Sequence, residues 1–365
     1  MRRRRQSDFI VMFSATTLLA IGVVMVFSSS SVRALQDYGD AYYFLKRQLA
    51  WSVLGVLAMM IASGVDYWHY RRLIGPALAL NLLLLIAVLI PGVGIVSHGA
   101  RRWLGFGPIT FNPAELMKLT WVCFMAVQLS AGKDRVKRFF RGLLPYLAIM
   151  GAMFALVLKQ PDLGTALTIA GSTFIVLFAG GARLVHLFGL AAAAVPVFVW
   201  AALSAEYRRK RLFAFLDPWS DPSGSGYHII QALYALGSGG LFGMGLGGGR
   251  QKMLYLPEAH TDFIFAILGE ELGFVGAVMV LLLFFLFAWR GYRIAMTAPD
   301  SLGCLLAVGV TTVTTLQAII NIGVVTASMP ITGIPLPFVS FGGSSLVFTM
   351  AGVGILLNIS KYTAE

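Results

Sequence analysis

The sequence predicts an all-α polytopic membrane protein with ten transmembrane helices, both termini cytoplasmic, and one long extracytoplasmic loop between helices 7 and 8. Three observations predict it. Of 365 residues, 58% are hydrophobic and only 12% are charged, against about 25% charged in a soluble domain. The apolar residues gather in runs of spanning length, a bilayer core needing about 20 residues per helix. The basic residues fall mainly in alternate connections between those runs, the bias that sets orientation. This composition excludes a soluble globular enzyme, which needs more polar surface, and a disordered chain, whose signature is low hydrophobicity. The net charge of +12 therefore reads as orientation and attraction to anionic head groups, not as nucleic-acid binding.

In chain order, the spans fall at roughly 8–30, 46–65, 72–91, 113–131, 143–159, 164–181, 185–203, 262–289, 304–328 and 341–359. Each is expected to be helical, because lipid offers the backbone no hydrogen-bond partner. The first follows Arg2–Arg5. It reads as an uncleaved span, since Phe9 to Phe27 outruns the about 7–15 residues of a signal-peptide core and no small-residue cleavage site follows. With the N-terminus inside, the inner segments hold Arg2–Arg5, Arg71, Arg72, Lys133, Arg135, Lys137, Arg138, Arg141, Arg183, Arg290, Arg293 and Lys361. The short outer segments hold Arg33, Lys46, Arg47, Arg101, Arg102, Lys118 and Lys159. The loop at about 204–261 carries more basic residues, but long loops weigh little in this rule. Residues 1–365 are read as a single membrane domain, with no clear internal repeat and no separate soluble domain.

Ionisable residues within spans are functional hypotheses, because burying charge in lipid is unfavourable. Glu115 and Lys118, three apart, share a helix face at the outer end of the fourth span. Lys159 and Asp162 bracket the outer connection after the fifth. Structural ion pairing between helices explains Glu115 and Asp162 equally plainly. Asp262 opens the eighth span, with Glu270 and Glu271 two turns further in. It stands where a wet loop meets an apolar helix, so partial desolvation raises its pKa towards that of a general base. The competing local reading is a helix cap, whose positive helix end acts in the opposite direction.

Other motifs exclude chemistries. Gly243–Gly248 matches G-x-G-x-x-G but follows no strand, so a nucleotide fold is rejected; flexible backbone over a membrane-surface cavity suits it better. His69, His98, His186, His228 and His260 lack metal-ligand spacing, and no G-x-S-x-G is present. Cys123 and Cys304 lie in apolar runs and read as buried thiols. Met329–Ser345, with three prolines, suits a backbone lining a cavity at membrane depth. So does His98–Gly107, where Arg101 and Arg102 beside Trp103 suit an anionic head group, although a belt anchor explains Trp103 as well.

Four segments taken together resemble the SEDS family of bacterial cell-wall polymerases, which includes FtsW, RodA and SpoVE. They are Leu256-Pro257-Glu258-Ala259-His260-Thr261-Asp262-Phe263 running on to Gly269-Glu270-Glu271, Pro335-Leu336-Pro337 through Phe341-Gly342-Gly343-Ser344-Ser345, Lys159-Gln160-Pro161-Asp162, and Asn112-Pro113-Ala114-Glu115. The resemblance covers nearly the whole chain and is stronger to the FtsW/SpoVE branch, with Phe341 where that branch often has Tyr. It implies a peptidoglycan glycosyltransferase that polymerises lipid II on the outer face of the cytoplasmic membrane, for the septal wall. It maps the essential catalytic acid onto Asp262. It implies substrate-binding roles for Arg101, Arg102, Glu115, Lys118, Lys159, Asp162, His260, Ser344 and Ser345. The run Arg208–Arg211 offers further cations for the pyrophosphate and reads equally as an amphipathic stretch that binds head groups. A divalent cation sharing that charge stays open. The resemblance also implies a class B penicillin-binding protein and divisome regulators as partners. A lipid II flippase, a non-catalytic scaffold, and a SpoVE-like or RodA-like polymerase are the alternatives.

Overall fold

The computed structural model describes residues 6–97, 100–106, 109–132 and 136–363. Arg2–Arg5, His98, Gly99, Gly107, Lys133 and Arg135 lie outside the described residues. Eight helices are long and apolar enough to cross a membrane: α1 (Phe9–Tyr38), α2 (Tyr43–Gly64), α3 (Tyr70–Leu89, extended back to Tyr67 by a 3-10 turn), α5 (Leu144–Lys159, preceded by a π turn), α7 (Leu184–Leu203), α10 (Ile264–Thr297), α11 (Ser301–Val325) and α12 (Gly343–Ser360). Two more expected spans, α4 (Pro113–Ser130) and α6 (Leu163–Ala179), are helical but fall short of that standard. α4 carries Glu115 and Lys118, and α6 has only 17 residues.

The chain departs from the all-helical expectation in one place. Residues Gly94–Ser97 (β1), Ala100–Phe106 (β2) and Ile109–Phe111 (β3) form a three-stranded antiparallel sheet between α3 and α4. Leu104 pairs with Gly94 on one side and Phe111 on the other and is buried. Strands that pair locally satisfy their own backbone, so a short meander forms wherever it is not flanked by lipid alone. The segment expected to be one long loop also has structure of its own, in α8 (Glu206–Leu216) and α9 (Tyr227–Gly239). Cys123 is buried and Cys304 half-buried, and both are free thiols.

Helix α11 is central, 78% of its apolar stretch being buried, whereas α7 is peripheral at 11%. α11 packs on α4, α6, α10 and α12, and α12 lies along α2. Close approach here depends on glycine: a Cβ on Gly354 of α12 would sit 2.3 Å from the Met59 carbonyl oxygen of α2. Polar ties reinforce the contacts. Trp121 of α4 donates to Thr173 of α6 at 2.7 Å. Asn358 donates to the Ser63 carbonyl and accepts from the Tyr67 amide, joining α12 to the α2–α3 connection.

The two chain ends meet. Asp8 caps α1 through the Val11 amide, pairs with Arg290 at 2.6 Å, and its amide donates to the Ser360 hydroxyl. Arg290 is near the far end of α10, so the first residues of that helix, beside Asp262, stand about 40 Å away along it at 1.5 Å per residue.

Gly354→Val is expected to destabilise the fold by at least about 1–3 kcal/mol, the usual overpacking range, because the obstacle is backbone. A lowered thermal midpoint of the purified protein checks this; an unchanged midpoint contradicts the α2–α12 contact.

Candidate functional site

Asp262 ends a run of turns that begins at Gln251 and leads into α10. The cap reading does not hold: Phe263 occupies the N-cap position, and no side chain caps that helix end. Asp262 is held instead by its backbone. Asn321 of α11 donates from Nδ2 to the Asp262 and Ile334 carbonyls, both at 2.8 Å. Ser340 donates to the Thr261 carbonyl at 2.6 Å and accepts from the Leu336 amide, and the Phe341 amide donates to the His260 carbonyl. The two polar segments around 258–262 and 333–341 are thereby stitched together over α11. Glu258 and Phe338 both hold positive φ, a strained state kept only where surroundings enforce it. Gly333 also has positive φ, and a Cβ there would lie 3.4 Å from Asp262 Oδ2.

No hydrogen bond or ion pair to the Asp262 carboxylate is recorded among the described residues. Burial pushes its pKa up to about 7; Glu258 pushes the same way, while Arg102 and Arg211 pull it down. His260 is buried against Phe44, ring centroids 4.4 Å apart, and near Phe341. Burial lowers its pKa to about 4, so it is neutral at pH 7 and packs the turn.

The remaining expected residues divide into groups. Arg102, on β2, donates from Nε to the Gln160 carbonyl at 2.9 Å, bonds the Pro161 carbonyl, and lies 3.7 Å from Asp162. Asp162 is buried and caps α6 through the Thr165 amide and hydroxyl. Glu115 and Lys118 form a buried pair at 2.8 Å. Lys118 also reaches Gln317 of α11, whose amide donates to the Pro335 carbonyl. Ser344 and Ser345 are buried at the start of α12, with Ser344 accepting from the Asn112 amide at 3.4 Å. Arg101 is half-buried, and Lys159 is exposed at the end of α5.

Glu270 and Glu271 anchor the glycine-rich run. Glu270 accepts from the Arg250 and Gln251 amides. Glu271 is fully buried and accepts from Lys252 at 2.6 Å and Ser28 at 2.7 Å. The helix breaks at Gly273, where a Cβ would strike the Gly243 amide nitrogen at 2.2 Å. The run therefore packs into a kink of α10; it is not free backbone.

An apolar cavity of about 340 Å³ lies between α6, α7, α8 and the 329–332 segment, and Gly333, which follows its lining residue Thr332, approaches Asp262. Leu167, Phe198, Leu203, Ile320 and Met329 line the cavity, with Arg211 and Thr332 among its few polar residues. Sequence reasoning named Arg211 only within a basic run, and missed Gln317, Asn321, Lys252 and Thr332. Gln317 and Asn321 carried a usable signal: two amides four apart on one face of an otherwise apolar span. No group of three or more His, Cys, Asp or Glu fit to hold a metal occurs among the described residues.

Comparison with known proteins bears on this site. The family profile for FtsW, RodA and SpoVE, described as "Cell cycle protein", matches residues 8–365. The chain is 47% identical to stage V sporulation protein E of Bacillus subtilis, covering 99% of both. It is 44% identical to the probable peptidoglycan glycosyltransferase FtsW of Geobacter metallireducens, covering 97% of this chain and 94% of that one. Among solved structures, a chain of a peptidoglycan synthase complex that coordinates polymerization and crosslinking superposes with TM-score 0.79 at 34% identity, covering 97% of each. RodA of Thermus thermophilus does so with TM-score 0.71 at 30% identity, covering 98% of each. With the profile matched from Asp8 to the last residue, this chain belongs to the FtsW/RodA/SpoVE family of multi-pass membrane proteins.

Proposed function

We infer that the protein is a peptidoglycan glycosyltransferase that polymerises lipid II into β-1,4 glycan strands. The observation that carries this is a carboxylate poised near neutrality beside an apolar cavity whose rim bears Arg211. Such a site suits a substrate that joins a sugar to a long hydrocarbon through a diphosphate. Asp262 takes the proton from the 4-hydroxyl of one lipid II. The freed oxygen attacks the anomeric carbon of the lipid-linked sugar on the growing chain, and the bond to the diphosphate breaks with its electron pair leaving on the polyprenyl carrier. Attack opposite the leaving group inverts the anomeric centre to β. Arg211 and Arg102 offset the diphosphate charge. Their pull on Asp262 supports their closeness to the reacting groups. Arg101 and Lys159 are nearby cations for the same anion. The Glu115–Lys118 pair, Asp162, His260, Ser344 and Ser345 act by holding the segments that frame the cavity.

Ten crossings and both termini inside follow if α4 and α6 also span. The meeting of Asp8 and Ser360 supports an even number of crossings, and the basic inner loops support the orientation. Asp262 then faces outward, and the whole chain works as one membrane domain. A septal role fits the FtsW names of the relatives, and a class B penicillin-binding partner with divisome regulators would supply crosslinking and placement. Against a flippase stands the pairing of the buried acids Glu115 and Glu271 with lysines, which leaves Asp262 as the poised carboxyl.

Asp262→Asn is expected to lower polymerisation of lipid II by at least about 10²-fold, the reach of a general base, with glycan on a gel as the readout; near-normal glycan would refute the base assignment. Turnover of the wild type should rise with pH up to about 7 and level off above it, because only the ionised carboxyl accepts the proton. Stability runs the other way. A carboxyl raised from 3.8 to about 7 binds more protons folded than unfolded between those values, so folding weakens as pH rises through that window. Asp262→Asn should therefore melt above the wild type at pH 8, and the difference should vanish near pH 4. Arg211→Gln should cut turnover by about 10²-fold, the usual effect of removing one charge-stabilising donor, while leaving the thermal midpoint in place.

A further inference from the structure

Thr332 is 6% exposed, and its hydroxyl has no hydrogen-bond partner. That is unusual, because a buried polar group without a partner is unfavourable. Thr120, Thr168 and Thr173, also buried, each donate to the carbonyl four residues back in their helix, whereas the buried Thr311 hydroxyl, inside α11, shares with Thr332 the lack of a partner. Thr332 lies outside any helix and lacks that option. Of the described buried polar atoms without a partner, only its hydroxyl belongs to a residue lining the apolar cavity.

Its surroundings point to an anion. Of the two arginines lining that cavity, Arg208 spends its donors on protein: Tyr207 Oη, the Ala201 and Leu158 carbonyls, and Ser204 Oγ. Arg211 has no ion pair recorded among the described residues and sits against Tyr207. The next residue along from Thr332 is Gly333, whose bare Cα faces Asp262. Thr332 and Arg211 thus line one apolar cavity, and Gly333 links Thr332 to Asp262, a juxtaposition that fits a substrate joining hydrocarbon, diphosphate and sugar.

We propose that the Thr332 hydroxyl donates a hydrogen bond to the diphosphate of the polyprenyl-linked substrate, beside the Arg211 guanidinium. The assignment rests on the glycosyltransferase reading and names a substrate-binding residue within it. An orphan hydroxyl has an unusual signature: it lowers the stability of the free protein and raises its affinity for the ligand.

The test uses full-length purified Thr332→Val and Thr332→Ser. Three quantities are measured: the thermal midpoint, the affinity for bare undecaprenyl diphosphate, and KM and kcat with lipid II. Thr332→Val, which keeps the shape, should bind undecaprenyl diphosphate at least tenfold more weakly and raise KM similarly, with an equal or higher midpoint. Thr332→Ser should match the wild type within about twofold, since it keeps the donor. Unchanged binding by Thr332→Val overturns the proposal. So does a lowered midpoint or failure to fold, because the hydroxyl would then be part of the packing. Weaker binding of lipid II with unchanged binding of the bare diphosphate also overturns it, moving the hydroxyl to the sugar. If Asp262→Asn is inactive while Thr332→Val behaves as wild type, only the Thr332 assignment falls. If Asp262→Asn polymerises normally, the glycosyltransferase reading of Asp262 falls, and the diphosphate contact is judged by the binding arm alone.

Discussion

One half-buried carboxylate without a hydrogen-bonded cation governs the arrangement around it. Every buried acid described here has donors at hand: Asp162 has the start of α6, Glu115 has Lys118, Glu270 has two backbone amides, and Glu271 has Lys252 and Ser28. An ionised group out of water is unfavourable unless paired, and pairing would hold its pKa low and spoil it as a base. The positive charges near Asp262 are therefore kept close enough to lower its pKa, yet occupied elsewhere or reserved. Arg102 bonds two carbonyls in the 160–162 turn, and Arg211 faces the cavity.

Holding such a group requires backbone ties in place of side-chain pairing. Asn321 and Ser340 bind the main chain on either side of the carboxylate and leave its oxygens alone. Gln317 extends the same frame to Lys118 and Glu115 on α4. The result is a chain of contacts from α4 through α11 to the 333–341 segment and then to 258–262. A frame of this kind fixes position without fixing protonation. On the far side, the Glu270–Glu271 step locks the glycine-rich run into the kink at Gly273, so the connection entering the site is anchored at both ends.

Much of this was legible in the chain. The long apolar spans were plain because hydropathy over twenty residues is a strong signal. The sheet at 94–111 was not, since strands of three to seven residues leave little periodicity, and the glycines and arginines there read as loop. α4 and α6 are helical where expected, but charge in one and brevity in the other weaken their claim to span. At the site, Asp262 stood out as a carboxylate at a loop–helix boundary, yet its neighbours did not. Glu115 and Lys118 announce themselves by spacing, whereas the approach of Lys252 to Ser28 joins residues 224 apart. Thr332 looked like one more polar residue in a proline-rich stretch, because the missing partner of a hydroxyl is visible only in three dimensions.

The separation of paired from unpaired groups also bears on how a membrane protein handles a substrate that is part lipid and part sugar. A route for charge through the bilayer needs polar stations along its depth. The buried acids farther into this bundle are already satisfied by lysine, serine or backbone, so they stabilise helix contacts and offer nothing to a passing anion. Asp262, Arg211 and the Thr332 hydroxyl lie towards one end, opposite the meeting of Asp8 with Arg290, and Arg211 and Thr332 border an apolar cavity. Under the proposed function, chemistry confined to that end would let the hydrocarbon remain among the helices while the sugars react in a wetter setting. Electrostatic stabilisation of a leaving diphosphate is strongest where such groups are fixed before the substrate arrives, and the backbone ties around Asp262 supply that fixity.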